Sequence, residues 1–294
     1  MEFFKTPNID FLSKRRFFFT ISGFFFLFSI ILIFTKGPSY GIDFKGGTLL
    51  HIHTNNDVSP SDLRGALGEI GLAKSEIQDL SLKEHIIKYS EDIEPDSILK
   101  FLTKKLNTKI EIERTERVGP RIGHELRLKA IYAVLIGMLL MLIYIAIRFN
   151  LPFGIAAILA IFHDVIITLG VFILLSRDIT VPVIAAFLTI VGYSINDSIV
   201  VSDRIRENLK KRQGRFIDIA NRSINETLSR TIVTSGTTLL VLIVLLLLGG
   251  PLLFDFAFAL TIGVIVGTYS SIFIVGALVT EYEERKKKRG VRKR

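Results

Sequence analysis

Six stretches of the chain are apolar over a length that can cross a lipid bilayer, and they constrain the fold more than any other feature. About 20 mostly apolar residues in a helix span the roughly 30 Å hydrocarbon layer. The stretches cover residues 17–34, 130–147, 153–175, 181–201, 231–248 and 256–279. The sequence therefore predicts a polytopic α-helical membrane protein with six transmembrane helices.

Basic residues flank these stretches unevenly, and the imbalance predicts an orientation. Lys and Arg concentrate on the cytoplasmic side of membrane helices. With the N-terminus inside, the inside segments hold 21 Lys and Arg, whereas the short outside loops hold only Arg177. The inside segments are the N-tail 1–16, Arg148, the loop 202–230 and the basic tail 281–294. We expect both termini in the cytoplasm and residues 35–129 outside, which is the periplasm for a bacterial inner membrane.

The net charge of +9 comes from these clusters, which we interpret as membrane flanks and not as a nucleic-acid-binding surface. The basic loop 202–230 could also contact anionic lipid headgroups. Either role is compatible with the sequence, although orientation alone accounts for the charge.

The segment 35–129 has the pattern of a small α+β domain. The predicted order is β-α-β-β-α-β, which is that of a ferredoxin-like fold. Ser59 followed by Pro60 opens the first helix, and the second runs over 95–106 with its apolar residues on one face. The predicted strands are 48–54, 75–82, 84–90 and 109–118.

Asp197 lies within the fourth apolar stretch, where a charged side chain is costly. A carboxylate inside a bilayer costs at least about 2.5 kcal/mol and usually marks a proton or ion path. Thr189, Tyr193 and Asn196 precede it at helical spacing, so the four side chains are predicted to share one face. Two alternatives stay open: a polar residue that holds helices together, or one near enough to the helix end to reach water.

The fifth stretch carries a matching polar face, formed by Arg230, Thr234, Thr237 and Thr238. The two faces could oppose each other at similar depth, which would make Arg230 the counter-charge of Asp197. Alternatively, Arg230 is an ordinary basic residue at the cytoplasmic flank.

Two further pairs stand out in the apolar stretches. His163 and Asp164 lie near the middle of the third, where they could relay protons or fix helix packing by a hydrogen bond. Both interpretations remain open. Gly263 and Gly267 in the sixth have the GxxxG spacing that allows close helix contact.

The sequence GIDFKGG follows the first apolar stretch and contains Gly41, Asp43, Gly46 and Gly47. By itself it reads as a turn that leads into a strand. It lacks the spacing of a P-loop, and no nucleotide-binding motif occurs elsewhere. The chain has no cysteine and no HExxH pattern. We therefore expect no ATPase activity, no metal and no organic cofactor.

Four motifs in this order resemble the SecF family of the bacterial SecDF export factor. They are GIDFKGGT after the first stretch, VGP at 118–120, VGYSINDSIVVSDRIREN at 191–208 and SRTIVTSGTTL at 229–239. The resemblance spans nearly the whole chain, and the motifs are specific in combination.

The resemblance implies a function that the spacing does not show. SecF proteins belong to the resistance-nodulation-division superfamily, whose members couple proton flow to movement of outer domains. They pair with SecD, associate with the SecYEG channel and YajC, and use the proton-motive force to move preproteins after SecA has acted.

The resemblance also assigns site residues. The family's proton-transport aspartate and arginine match Asp197 and Arg230, while a further aspartate of the path lies in SecD. The residues leave open whether the coupled ion is H⁺ or Na⁺. They also leave open an exporter of small molecules or lipids from the same superfamily, and a structural partner with no proton role.

Overall fold

The computed structural model describes residues 7–291 and divides the chain into two compact units. One unit is helical and comprises the residues up to 39 and those from 133 onward. The other spans Tyr40–Tyr132 and mixes helices with strands, and we refer to it as the α+β domain. The outermost parts of the two predicted tails, residues 1–6 and 292–294, lie outside the described residues.

The first membrane-length helix, α1, runs over Arg15–Thr35 and leads into the α+β domain. The following elements are β1 Ser39–Tyr40, α2 Ile42–Lys45, β2 Gly47–Thr54, α3 Pro60–Glu69, β3 Glu76–Asp79, β4 Glu84–Tyr89, α4 Pro95–Leu106 and β5 Ile110–Val118. From β2 to β5 the order is the predicted β-α-β-β-α-β. Strand β3 is shorter than the predicted 75–82.

Strands β2 to β5 form one antiparallel sheet in the spatial order β3-β4-β2-β5. In the central strand β2, Leu50 pairs with Ile87 of β4 and with Thr115 of β5. The side chains of Leu50 and Ile52 are fully buried, in one core with Leu63 of α3. This topology confirms the predicted ferredoxin-like domain.

The two helices of the domain begin and end where local chemistry requires. Ser59 caps α3 by accepting a hydrogen bond from the Asp62 backbone N–H at 3.2 Å, with Pro60 in the first helical position. Helix α4 buries Ile98 and Leu102, which are four residues apart on one face. It ends at Asn107, whose φ of 49° lies in the left-handed region.

The GIDFKGG segment forms the short helix α2 and a glycine turn that leads into β2. Gly46 and Gly47 have φ values of 78° and 141°, which L side chains rarely adopt. A Cβ atom at Gly47 would lie 2.6 Å from the carbonyl oxygen of Tyr89 on the neighbouring strand. Only glycine therefore fits where β2 starts to pair with β4.

We expect Gly47→Ala to destabilise the α+β domain by about 1–3 kcal/mol, because the substitution adds both backbone strain and a steric clash. Hydrogen exchange of the β2 amides in the full chain would measure the loss. Gly65→Ala is the matched control, since Gly65 is an exposed residue of α3 with no atom within 4 Å of an added Cβ. Equal protection in the two variants would contradict the prediction.

The helical unit continues with five more membrane-length segments after α1. Its elements are α5 Pro120–Arg148, α6 Leu151–Leu174, β6 Asp178–Ile179, α7 Val181–Lys211, α8 Phe216–Leu248, α9 Gly250–Ser270, a π-helical turn Ser271–Val275 and α10 Gly276–Val291. In the described part of the chain, six helices are long and apolar enough to cross a membrane. The predicted six-helix membrane architecture is thus confirmed.

The predicted loop 202–230 requires correction, because helix replaces most of it. Helix α7 continues to Lys211 and α8 starts at Phe216, which leaves only residues 212–215 between them. Ion pairs hold the two helix ends together: Glu226 of α8 binds Arg204 of α7 at 2.6 Å and Arg212 at 3.1 Å. The charged residues after position 201 end the apolar stretch, but helix α7 continues through them to Lys211.

The other predicted helices also differ at their ends. Helix α5 begins ten residues before the predicted 130–147, at Pro120, and the division between the two units falls within it. Helix α6 covers Leu151–Leu174 against the predicted 153–175. The last predicted span, 256–279, consists of α9, the π-helical turn and the start of α10.

Glycines bring α9 close to α7, as the GxxxG spacing predicts. A Cβ atom at Gly263 would lie 2.3 Å from the Ile190 side chain, and one at Gly267 would lie 3.2 Å from Ser194. Both contacts are with α7. Small residues thus let α9 approach the helix that carries Asp197.

An extended N-terminal segment fixes the start of α1 against α8. Asn225 binds both backbone groups of Ile9, through its Oδ1 at 2.9 Å and its Nδ2 at 2.8 Å. Asn221, one turn earlier, accepts hydrogen bonds from the backbone N–H groups of Phe11 and Leu12. The side-chain amides of α8 therefore bond the backbone groups of this segment, as the backbone of a paired strand would.

Candidate functional site

Asp197 lies on α7 and is 4% exposed, so its carboxylate is inside the helical unit. The rest of its predicted polar face is less buried: Tyr193 is half-buried, whereas Thr189 and Asn196 are exposed. Thr189 donates its hydroxyl hydrogen bond to Ala185 of its own helix. Of the four residues predicted to share one face, only Asp197 is therefore buried.

Arg230 of α8 lies close enough to Asp197 for its positive charge to act on the carboxylate. Among the described residues, however, the two form no ion pair within 4.0 Å, and Arg230 itself is exposed. Thr234 donates to the Arg230 carbonyl within α8 at 3.0 Å and so does not bind the carboxylate. Arg230 is a nearby counter-charge rather than a direct partner.

Two hydroxyl residues that the sequence reasoning missed complete the surroundings of Asp197. Ser235 of α8 lies close to the carboxylate, accepts from the Tyr193 hydroxyl at 3.3 Å and lies 2.7 Å from Thr268 of α9. Thr268 donates its proton to the Val264 carbonyl, so Ser235 is the donor in its contact with Thr268. Ser235 lies within the 229–239 motif, but nothing in the sequence signals Thr268.

Three buried oxygens on α7 have no hydrogen-bond partner in the described part of the chain. They are Asp197 Oδ2, Ser198 Oγ and Ser202 Oγ. An unsatisfied buried polar group costs about 1–3 kcal/mol, so such groups call for a functional or solvent explanation. This stretch of α7 is therefore suited to take up protons or water molecules.

A second buried carboxylate, Asp164 of α6, is fully inaccessible and well bonded. Its Oδ1 lies 2.9 Å from His163 Nδ1, and its Oδ2 accepts hydrogen bonds from Ser194 of α7 at 2.6 Å and from Ser270 of α9 at 2.7 Å. These contacts join three helices. Sequence spacing found the pair but not the two serines.

The predicted motif residues Gly41, Asp43, Gly46 and Gly47 all belong to the α+β domain. The backbone of this motif packs closely against the start of α5. A Cβ atom added at Gly123 of α5 would lie only 3.0 Å from Gly46 N and 3.2 Å from the Asp43 carbonyl oxygen. The motif therefore supports the beginning of α5 within its own domain.

The α+β domain contains a cluster whose side chains lie close enough together to hold a metal ion. Ligand atoms of His53, Glu84 and Glu113 lie within 4.8 Å of one another on the sheet. Their distance apart in the sequence explains why no motif signalled them. Glu113 is exposed and contacts His51 at 3.4 Å, so the cluster is equally consistent with surface ion pairs.

Two family models match this chain. The model described as protein export membrane protein SecD/SecF, C-terminal, covers residues 98–285, which include four of the five membrane-length helices after α1 and most of the last one. The SecD/SecF GG motif covers residues 31–58 and includes the glycine turn before β2.

Relatives match over most of the chain. The protein translocase subunit SecF of Calditerrivibrio nitroreducens is 46% identical, over 92% of this chain and 93% of the relative. The protein translocase subunit SecDF of Thermus thermophilus is 43% identical over 96% of this chain, which spans only 39% of that longer protein.

Solved structures agree with the sequence relatives. The crystal structure of Thermus SecDF, described as a translocon-associated membrane protein, superposes with a TM-score of 0.86 over 95% of this chain and 39% of that chain. A super-membrane-facing form of SecDF superposes with a TM-score of 0.76. From its sequence, its six membrane helices and these likenesses, the chain belongs to the SecF family of protein translocase subunits.

Proposed function

We propose that this chain, together with SecD, uses the proton-motive force to drive the late stage of preprotein translocation, after the ATP-dependent work of SecA. The observation that carries the proposal is the buried Asp197, which has one unpartnered carboxylate oxygen and lies under the electrostatic influence of Arg230. A proton that binds Asp197 removes its attraction to Arg230. The helices α7 and α8 can then repack.

We place the chain in the bacterial inner membrane with both termini in the cytoplasm. Lys and Arg at the two ends of the chain and in the α7–α8 turn support this orientation. The α+β domain then lies in the periplasm, where it can meet an emerging preprotein. Movement of the membrane helices reaches it through α1 and α5, which are continuous with it in the chain.

The exposed polar surface of the membrane-length helices supports SecD as the partner. Asn196, Arg230 and Thr237 are exposed on helices of membrane length, where contact with lipid is unfavourable. A polar surface of a second subunit would cover them and complete the proton path. That the Thermus relative is a single SecDF chain supports this pairing. We further propose association with SecYEG, YajC and the surrounding lipids.

The energy comes from an ion gradient and not from nucleotide hydrolysis by this chain. One charge that crosses 100 mV supplies about 2.3 kcal/mol. This is enough to bias a two-state domain more than tenfold, since each 1.4 kcal/mol is about a factor of ten. The coupled ion is H⁺ in our proposal, with Na⁺ as the alternative, and no organic cofactor or metal takes part.

Vesicles that contain SecYEG, SecD and this chain test the proposal. A preprotein is first inserted partway by SecA and ATP, and ATP is then removed. We expect an imposed proton gradient to complete translocation and a protonophore to stop it, because the ion gradient is then the remaining energy source. Replacement of Na⁺ by K⁺ distinguishes the two ions. Completion at the same rate without any gradient would contradict the proposal.

A further inference from the structure

The buried pair His163–Asp164 occupies a place where α6 meets α1, α7 and α9. His163 is 7% exposed and stacks on Phe26 of α1, with ring centroids 6.3 Å apart and planes 3° apart. Asp164 is fully buried and binds Ser194 of α7 and Ser270 of α9. The role proposed above for Asp197 does not use this pair.

With Asp164 ionised, the hydrogen bonds fix which nitrogen of His163 carries a proton. An ionised carboxylate can only accept, and both serine hydroxyls already donate to Oδ2 of Asp164. The remaining contact, between Oδ1 and His163 Nδ1 at 2.9 Å, therefore has the ring nitrogen as its donor. In the neutral imidazole, Nε2 is then a free lone pair. It is buried and has no partner among the described residues.

We propose that His163 is a second proton-binding group of the membrane helices, and that Asp164 holds it in the tautomer that leaves Nε2 ready to accept a proton. The proton adds to the Nε2 lone pair and gives an imidazolium with an N–H on each side. No covalent bond breaks. The Asp164 carboxylate compensates the positive charge, as a carboxylate does when it is bonded to the opposite nitrogen of an imidazole.

Few other ionisable groups face this pair from the helices packed around it. The membrane part of α1, residues 17–34, contains none, and the π-helical turn Ser271–Val275 contains none. On α9 the nearest is Tyr269, whose hydroxyl donates to the Phe18 carbonyl and lies 2.9 Å from Ser22. On α7 they are Tyr193, whose hydroxyl donates to Ser235, and Asp197, three residues beyond Ser194. His163 and Asp197 are therefore separate sites on neighbouring helices.

The Asp164–Ser194 hydrogen bond connects the charge of His163 to the helix that carries Asp197. Protonation of His163 pulls the shared carboxylate towards the ring and weakens its hold on Ser194 and Ser270. The π-helical turn begins at Ser271, directly after Ser270, and such turns are frequent at functional sites. This coupling rests on the proposed function of Asp197, whereas proton binding by His163 does not.

Ring-¹⁵N histidine NMR of the full chain with SecD in bilayers tests the proton site. The chain has five histidines, and His163→Asn assigns the signal, because an asparagine amide can keep the donor to Asp164 while removing Nε2. We expect the neutral ring to carry its proton on Nδ1, and the acidified sample to show the imidazolium with a proton on each ring nitrogen. A ring that stays neutral throughout, or that is protonated on Nε2 at high pH, overturns the proposal.

The coupling is tested by the pH dependence of gradient-driven translocation. We expect His163→Asn to shift the proton concentration for half-maximal rate by about fivefold or more, the lower range of site-to-site coupling. An unchanged profile overturns the coupling even if NMR shows the proton on Nε2. If Asp197→Asn keeps its full gradient response while NMR shows the proton on His163, the proposed function fails and the proton site stands.

Discussion

Asp197→Asn should reduce gradient-driven translocation by about 40-fold while the early, SecA-driven stage continues. The factor corresponds to the loss of about 2.3 kcal/mol per charge at 100 mV, with about 1.4 kcal/mol per factor of ten. Asparagine has nearly the same shape as aspartate but cannot take up a proton. The buried packing around residue 197 is kept and the ion-binding step is lost. Translocation in vesicles with an imposed gradient measures the effect.

The matched control for this variant is Asp203→Asn on the same helix. Asp203 is partly exposed at the far end of α7, where it pairs with Arg148 at 2.6 Å and Arg206 at 3.1 Å. Such exposed pairs contribute little, about 0–1 kcal/mol, so we expect a nearly normal gradient response. Equal losses in the two variants would indicate that any removed charge disturbs α7 and that Asp197 has no special part.

Sequence patterns predicted the architecture well where local chemistry decides it. The six membrane helices follow from apolar length alone, and the ferredoxin-like order follows from strand and helix periods. The start of α3 follows from Ser59 and Pro60, whose roles depend on adjacent residues. Each of these features can be read from a short window of the chain.

Helix ends were less predictable where charged residues continue a helix beyond the apolar stretch. The apolar stretch ends at residue 201, but α7 extends to Lys211 because its charged side chains form ion pairs along the helix. Glu207 pairs with Arg204 three residues before it and with Lys211 four residues after it. Hydropathy indicates where a membrane ends, and not where a helix ends.

The candidate site was predictable only as far as one helix defines it. Periodicity placed Asp197 and Arg230 on polar faces of their own helices, and a family motif supported both. Their surroundings come from tertiary packing, since Thr268 of α9 reaches the site through Ser235 of α8. Likewise, Asp164 meets Ser270, which is 106 residues away in the chain, because Gly267 lets α9 approach.

The second large effect expected is on Arg230, whose replacement by alanine should also abolish most of the gradient response. Arg230 acts on Asp197 over a longer distance than an ion pair, so its contribution is mainly its charge. Arg230→Lys keeps that charge and should keep part of the response. Arg222→Ala is the matched control, because Arg222 is an exposed arginine on the same side of α8, eight residues earlier, with its ion pair to Glu226. We expect this variant to behave nearly as the unchanged chain.

A double-variant cycle decides whether Arg230 works through Asp197 or only orients the helix in the membrane. If both residues serve one proton-binding step, Asp197→Asn combined with Arg230→Ala should be no slower than the worse single variant, because the step is already lost. Independent roles would multiply the two losses instead. A topology role predicts a further difference: the single Arg230→Ala variant would show a changed orientation of α8, measurable by labelling a cysteine introduced at position 213 between α7 and α8. Loss of the gradient response with unchanged labelling and no added loss in the double variant would place the charge of Arg230 in the same step as the carboxylate of Asp197.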